Sequence, residues 1–312
     1  MIANANASPY ADERRCKARM ELYVSETSEP IVFENEKIKS FSLISEYQAE
    51  QTSQPHGELS IVVIDDTNLI DVTNKESLYH QLNEGSCCKL YVSTVQNNNA
   101  DSYVLAAKNY FRDVASENEI ATLNFTDLFG TTRLSNIDMI RVSNQLGKPY
   151  SAPTSAYINA MFELLGINNK CVISEELDSL HDFLRESCTG EDGYPISVPD
   201  GIKLMTLFLT RKSKTTVRAA FTNNGDLRFF TVDDNPAETI TKHKIISANV
   251  EPPQTKGKSL VLNVRDRGNV LREPGDRIIV QLNNTYDAEM YMLKHEFDMG
   301  TLEGQMKGLI KQ

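Results

Sequence analysis

Apolar and polar residues alternate with a period of two along much of the first 130 residues, the pattern of β-strands that bury one face. In KIKSFSLIS, Phe41 and Leu43 fall on one side of a strand, and Ser40 and Ser42 fall on the other. The same alternation recurs in GELSIVVID, and further strands are predicted over residues 89–95, 103–114 and 120–128. These patterns predict a β-rich first module.

The period changes to that of α-helices between residues 131 and 212. In TSAYINAMFELLG the apolar residues recur at i, i+3, i+4, i+7 and i+8, which predicts an amphipathic helix. Ser155 is predicted to cap the start of this helix and Gly166 to end it. A second helix is predicted over 175–188, with Ser174 as its cap and one apolar side formed by Leu177, Leu180, His181 and Leu184. A third, shorter helix is predicted over 201–209.

Strand patterns return after residue 212. The segments TVRAAFT and LRFFTV flank the turn residues Asn223–Asp226, which predicts a β-hairpin. Alternation continues through residues 260–264 and 278–282, and the last 22 residues predict a second hairpin that turns near Met299 and Gly300. In that hairpin Tyr291, Leu293, His295 and Phe297 are predicted to share one face, opposite Leu302, Met306 and Ile310.

The two β-rich parts resemble one another in their order of residues. Gly85, Leu90–Val92, Tyr103–Leu105, Phe111–Asp113 and Leu123 match, in order, Gly275–Asp276, Val280, Tyr291–Leu293, Phe297–Asp298 and Leu302. Each set describes a glycine-led strand followed by a hairpin. The match favours an internal duplication, although shared turn chemistry could produce the same likeness by chance.

Length and composition are those of a globular protein with two domains or a few docked modules. Of the 312 residues, 40% are hydrophobic and 24% are charged. The first residues lack the apolar stretch of a secretory signal, and the longest apolar runs, 59–64 and 204–209, are too short to span a membrane. Five cysteines without a CxxC motif are typical of free thiols in a reducing cytoplasm, where we expect the chain to be made.

Negative charge is concentrated at the N-terminal end. Residues 1–130 contain 10 Lys and Arg against 20 Asp and Glu, a balance of −10, while the whole chain carries −11. Such a surface repels phosphate, so tight binding of nucleic acid by this part is not expected.

Motifs for nucleotide binding, zinc hydrolysis or nucleophilic catalysis are absent from the sequence. The five histidines lack metal-ligand spacing, and adjacent acids such as Asp65 and Asp66 point to opposite faces of a strand. We therefore predict no enzyme activity, no cofactor and no metal. Two alternatives stay open, a non-viral β-rich binding or adhesin module and a hydrolytic enzyme. The lack of tryptophan weakens a sugar-binding interpretation of the former.

A series of weak motifs covers nearly the whole chain in order. The series begins with a short basic segment and then IVFENEKIKSFSLIS. It continues with DDTNLIDVTNKESLYHQLNEGSCCKLYV and the predicted helix TSAYINAMFELLGI. NNGDLRFF, ETITKHKIIS, LREPGDRIIVQL and YMLKHEFDMGTLEGQMKG complete the series. In this order the motifs resemble the baseplate or tail-tip hub proteins of bacteriophages of Gram-positive hosts. The GELSIVVID strand departs from the family, whose members more often have an Asn-rich approach there, which leaves the subfamily open.

The resemblance implies a mainly β, α+β protein with two tube-like β-barrels and a helical insertion between them. Its parts would be a first barrel (1–130), the insertion (131–212), a hairpin region (213–240) and a second barrel (241–312). The family forms homotrimeric rings in the virion tail, which join a sixfold tail tube to threefold components. Implied partners are the tail tube or distal tail protein, the tape-measure protein, and spike, fibre or wedge proteins. A contractile tail, a non-contractile tail and a bacteriocin particle all remain open.

Two sets of residues are the candidate functional positions. Barrel closure and assembly are assigned to apolar residues of the predicted strands, namely Phe41, Leu43, Tyr103, Phe111, Tyr291, Leu293, Phe297, Leu302 and Met306. An acidic channel that lets DNA slide past is assigned to Glu26, Glu29, Glu34 and Glu36. The alternative for these four acids is an ordinary soluble outer surface.

Overall fold

The computed structural model describes residues 16–46, 56–71, 73–94, 103–147, 151–180, 182–231, 236–251, 260–283 and 287–310. Strands dominate both ends and helices lie between them, so the fold is α+β and mainly β, as predicted. The described strands of the N-terminal part are β1 (Cys16–Tyr23), β2 (Ile31–Phe33), β3 (Ile38–Glu46), β4 (His56–Ile64), β5 (Cys87–Thr94), β6 (Val104–Glu117) and β7 (Ile120–Thr126).

Short helices and strands alternate in the middle of the chain. The described elements are α1 (Thr132–Ser135), α2 (Met139–Leu146), β8 (Ser151–Pro153), α3 (Thr154–Leu165), β9 (Cys171–Val172), α4 (Glu175–Asp178), β10 (Asp182–Leu184), α5 (Val198–Ser213), β11 (Val217–Phe221) and β12 (Leu227–Thr231). The C-terminal part then adds β13 (Pro236–Ile240), β14 (Ile245–Glu251), β15 (Val261–Asp266), β16 (Arg277–Gln281), β17 (Asp287–Asp298) and β18 (Glu303–Ile310).

The predicted central helix is confirmed as α3, but its predicted cap is wrong. Gly166 ends the helix with a φ of 67°, as expected of a left-handed C-terminal glycine. Pro153, the residue just before the helix, makes no side-chain hydrogen bond that caps it. Ser155 instead donates from its backbone N–H to Asp178 at 3.0 Å and from its hydroxyl to the same carboxylate. Ser155 therefore ties α3 to α4.

The helix predicted over 175–188 is wrong beyond its first turn. Ser174 does cap α4, but the chain then extends as β10, which pairs with β8. Phe183 is fully buried in this strand, with its ring edge-on to Tyr157 at 5.1 Å, while Leu184 is exposed. Burial of one phenylalanine between layers thus overrides the helical spacing of the leucines. His181 lies outside the described residues.

One sheet continues through both ends of the chain. Its strands run in the order β14-β15-β18-β17-β3-β4-β7-β6-β5-β1-β2, and β16 and β13 branch from β17. We call β1–β7 the first module and β13–β18 the second module. The modules meet where β17 pairs with β3.

The two modules repeat one topology. The first runs β3-β4-β7-β6-β5 and the second β14-β15-β18-β17-β16, which is the same order of equivalent strands. Bulges recur at equivalent places as well. One falls between Ile38 and Ser40 of β3 and between Ile245 and Ser247 of β14. The other falls after Phe111 of β6 and after Met292 of β17.

The strand registers support the internal duplication but correct its alignment. Tyr110 pairs with Cys87, the first residue of β5, and Tyr291 pairs with Arg277, the first residue of β16. Tyr291 therefore corresponds to Tyr110 and not to Tyr103, as the sequence match had it. The sequence match was displaced by seven residues, since Tyr103, like Tyr291, is followed by two apolar residues of which the second is a leucine.

Each module folds into two layers. The front layer of the first module contains β3, β4, β7 and the second half of β6, and the back layer contains the first half of β6 with β5, β1 and β2. In the second module the equivalent front layer is β14, β15, β18 and the second half of β17, and the back layer is the first half of β17 with β16 and β13. Side chains from both layers, such as Met20, Leu59, Leu90 and Leu123, form one core. No backbone pairing joins β2 to β3 or β13 to β14 within the described ranges. Side-chain packing closes each module on that side.

The middle part has a core of its own. Helices α2, α3 and α5 pack with the hairpin β11–β12, and this core also includes Tyr110 and Cys87 of the back layer. The hairpin turn is as predicted, with Gly225 at a φ of 79°. No helix in the described ranges is long and apolar enough to cross a membrane.

Candidate functional site: the junction between the modules

The junction is a short antiparallel ladder. Lys294–Asp298 of β17 pair with Ser42–Glu46 of β3, and the Met299 N–H donates to the Phe41 carbonyl oxygen at 3.0 Å. This ladder begins after the bulge in β17. It lies on the same edge of β17 with which β16 pairs near the start of the strand. The modules therefore share backbone hydrogen bonds as well as side-chain contacts.

Aromatic packing fills the junction. The rings of Phe41 and Phe297 stack with centroids 5.8 Å apart, and Leu43 lies directly opposite Phe297 in the ladder. All three side chains are buried, and Leu302 packs against the same cluster. A glycine is required close by, since a Cβ at Gly268 would lie 2.8 Å from the Phe297 ring. Phe41, Leu43, Phe297 and Leu302 are thus brought together.

The bulge in β17 separates residues that were predicted to share a face. Tyr291 lies opposite Leu309, and Leu293 packs with Ala220 and Phe230 of the hairpin β11–β12. His295 and Phe297 follow the extra residue and point to the opposite side, where His295 faces Met306. The prediction that Tyr291, Leu293, His295 and Phe297 share one face is therefore wrong. The inserted residue moves the side chains that follow it to the opposite face of the strand.

The other assembly candidates lie elsewhere. Met306 is fully buried in the core of the second module, on the same face as Met292. Phe111 packs edge-on against Phe125 at 6.1 Å in the first module, and Tyr103 is half-buried just before β6. Their role in assembly stays a prediction.

His295 is fully buried on β17, and neither ring nitrogen has a hydrogen-bond partner in the part of the chain that the structure describes. Burial and the nearby positive charge of Arg272 lower the pKa of His295 to about 3. The imidazole is consequently neutral at physiological pH and acts as a core side chain.

A buried ion-pair network lies beside the junction. Arg272 is 3% exposed, and it donates to Asp266 at 2.7 Å and to Glu238 at 2.7 Å. Burial opposes ionisation of Glu238, but its bond with Arg272 prevails and lowers the pKa of that carboxyl. The network ties the loop before β16 to β13 and to the end of β15. Sequence reasoning missed it, because an arginine in a loop gives no signal of burial.

The four predicted channel acids do not form one cluster. Glu26 is half-buried and pairs with Lys108 at 3.1 Å, while Glu29 and Glu36 are exposed. Glu34 is also exposed and lies 3.6 Å from Arg19. Their place relative to a channel stays a prediction.

A different acidic surface covers the outer face of the two front layers. On each strand of these layers, the residues between the core positions are solvent-accessible and mostly polar. Their acids are Glu46, Glu58, Asp113, Glu117, Glu251, Glu296, Asp298 and Glu303, against the bases Lys39, Arg112, Arg265, Lys294 and Lys307. We call this surface the acidic face. Sequence alternation marks its strands, but only the pairing shows that they lie side by side.

No group of three or more His, Cys, Asp or Glu side chains in the described ranges is placed to hold a metal ion. A small cavity of about 30 Å³ lies beside the junction and is lined in part by Ser45, Asn109 and Asp127. It is large enough for a water molecule and too small for an organic cofactor. Strand pairing and aromatic packing hold the junction together.

Two of the solved structures that share this fold are prophage tail proteins. The 43 kDa tail protein of prophage MuSo2 from Shewanella oneidensis aligns with 93% of this chain and 96% of its own, at a TM-score of 0.57 and 10% identity. The prophage tail protein gp18 from Listeria monocytogenes EGD-e aligns over 94% of both chains, at a TM-score of 0.50 and 7% identity. No protein-family model and no curated protein matches the sequence. The resemblance to phage tail proteins is thus confirmed at the level of the fold.

Proposed function

We propose that the chain is a structural hub protein of the baseplate or tail tip of a phage or phage-like particle. Three copies form a ring that joins a sixfold tail tube to threefold spike or fibre components. One observation carries the proposal: the chain contains the same module twice, with matching strand order and matching bulges. The fold shared with prophage tail proteins supports it.

A duplicated module offers a physical solution to a symmetry mismatch. Three chains with two modules each present six similar surfaces to a sixfold partner, while the differences between the modules preserve threefold symmetry on the other side. The sixfold side would contact the tail tube or distal tail protein and the tape-measure protein. The threefold side would contact spike, fibre or wedge proteins. The protein is then a virion component, made in the host cytoplasm, with neither an enzymatic role nor a cofactor.

The acidic face suits the wall of the central channel. Each front layer has its back layer on the core side. If the front layers form the inner wall of a ring, the back layers and the helical part of the chain lie outside that wall. The acidic face would then point inward. Eight carboxylates against five cations leave an excess of negative charge that repels DNA phosphates, which lets DNA pass without binding. Glu26, Glu29, Glu34 and Glu36 would add to the channel only where the assembled ring turns them inward.

Mass measurement of the purified full-length chain tests the ring. The proposal predicts a concentration-dependent species of three times 35.1 kDa, or about 105 kDa, in mass photometry and native mass spectrometry. A stable dimer, or a closed ring of six copies of this chain, would contradict it.

A further inference from the structure

Equivalent first strands of the two modules differ in their exposure. On β3, Phe41 and Leu43 are 1% and 4% exposed because β17 pairs along that edge. Their counterparts on β14, counted from the shared bulge, are Ala248 and Val250. Both are exposed, and Val250 reaches 48% although it faces the core side beside Leu262. Within the described ranges, β14 is thus an edge strand without the neighbour that its equivalent has.

The complementary edge is open on β6. Beyond the bulge, residues 113–117 pair only with β7 within the described part of the chain. The equivalent residues of β17 pair on both sides, with β18 and with β3. Exposure follows this difference, since His295 and Phe297 are buried whereas their counterparts Val114 and Ser116 are half-buried and exposed.

We propose that β14 of one chain pairs with the second half of β6 of a second copy, in the register of the internal junction. The inference rests on the proposed ring, and it specifies the seam between chains. Moving the β17–β3 register onto the equivalent residues places Ala115 opposite Glu251, Ser116 opposite Val250 and Glu117 opposite Asn249. The hydrogen bond from Met299 to Phe41 becomes one from Asn118 to Ala248.

The side chains fit this pairing. No two like charges lie directly opposite one another, and the exposed Val250 is covered by the neighbouring strand. Two edges that have no strand beside them in the described part of the chain gain backbone partners, which removes a hazard that exposed edge strands carry. Ala248 and Ser116 replace Phe41 and Phe297, so the seam contains less apolar contact than the internal junction. It is accordingly expected to be the weaker of the two and to open first.

Cysteine cross-linking between separately labelled chains tests the register. Glu117→Cys and Asn249→Cys are made on different chains, mixed and oxidised, so that the new disulfide can form only between chains. The matched positive control is Ser42→Cys with Asp298→Cys in one chain, the equivalent pair of the internal ladder. The off-register control is Asp113→Cys with Asn249→Cys, where the edge position is displaced by four residues, about 13 Å. The unmodified chain reports any background from native thiols.

The seam predicts a covalent dimer from the 117–249 mixture and little from the 113–249 mixture. A trimer that forms without the 117–249 cross-link, or that cross-links equally at 113, overturns the seam but leaves the ring intact. Absence of any trimer overturns the ring, and the seam with it.

A charge placed in the seam supplies a second readout. Val250→Lys should weaken trimer formation by at least about tenfold, because the seam would have to bury an unpaired ammonium group. Val104→Lys is the control, since Val104 is equally exposed at 46% but lies on the part of β6 that already pairs with β5. Equal trimer affinities for the two variants would overturn the assignment.

Discussion

Arg272 shows how a single buried charge can hold several segments together. Its partner Asp266 is fully buried, so removal of the guanidinium leaves a carboxylate without compensation. We expect Arg272→Met to lower the free energy of unfolding by about 3–5 kcal/mol. Arg265→Met is the matched control, because Arg265 pairs with Glu303 at the surface, and we expect a loss of less than about 1 kcal/mol. Urea unfolding measures both, and similar losses would contradict the assigned role.

The buried carboxyl group of Asp127 is expected to make the stability of the protein depend on pH. Burial raises the pKa of Asp127 to about 7, even though its carboxylate accepts the Gly130 N–H at 3.0 Å. A raised folded-state pKa means that the folded protein binds this proton more tightly than the unfolded chain. The stability that protonation contributes is present below the unfolded pKa near 4 and is lost as pH rises toward 7.

Asp127→Asn should remove this pH dependence. Relative to the wild type, the variant should gain stability between pH 4 and pH 8, by at most about 4 kcal/mol, because the amide carries no charge to bury. Unfolding by urea at each pH gives the comparison. A constant difference between the two proteins across this range would show that Asp127 titrates normally.

Among the elements, those with one buried face were the most predictable. Strands β4 and β15 alternate cleanly, as does β3 from Ser40 to Ile44, and the core residues of these stretches were identified from the sequence. The helix over 175–188 failed because leucine spacing cannot show that Phe183 fills a gap between layers. The bulge in β17 could not be predicted, since its extra residue, Leu293, is apolar like its neighbours. Local periodicity predicts an element, but only tertiary packing shows where that element is interrupted.

The candidate site was predicted in part. Phe41, Leu43 and Phe297 were named as assembly residues, and the structure brings them together at the junction. The pairing of β3 with β17, which brings these residues together, could not be derived from the sequence. The two strands lie about 250 residues apart, and no local pattern links them. The acidic face was missed for the same reason, whereas the Arg272 network was missed because an arginine in a loop gives no signal of burial.

The C-terminal hairpin is the element on which both modules depend. Strand β17 pairs with β3, β16 and β18, so deletion of residues 290–312 removes the internal junction as well as one side of the second module. Each buried apolar side chain lost costs roughly 1.5–3 kcal/mol, a large share of a marginal total stability. The truncated protein should be destabilised in urea unfolding and should fail to enter particles. Deletion of 311–312 alone is the control, and normal incorporation of the longer truncation would show that the hairpin is dispensable.

At the scale of the whole molecule, the chain resembles two copies of one protein joined at an edge. The internal junction shows how one module binds the next, and the edges of β14 and β6 that lack a partner among the described residues offer the same contact again. Sequence comparison found the repeat but misaligned it, since the shared feature is the position of bulges and strand ends more than residue identity. Repetition of one contact, alternately within and between chains, is what a ring with apparent sixfold symmetry requires.

End-on electron microscopy of the purified oligomer tests the hub assignment most directly. The account predicts a closed ring of three chains with six similar lobes, a central channel and threefold symmetry that approaches sixfold at low resolution. A ring of three lobes without a channel, or an open chain of modules, would contradict it.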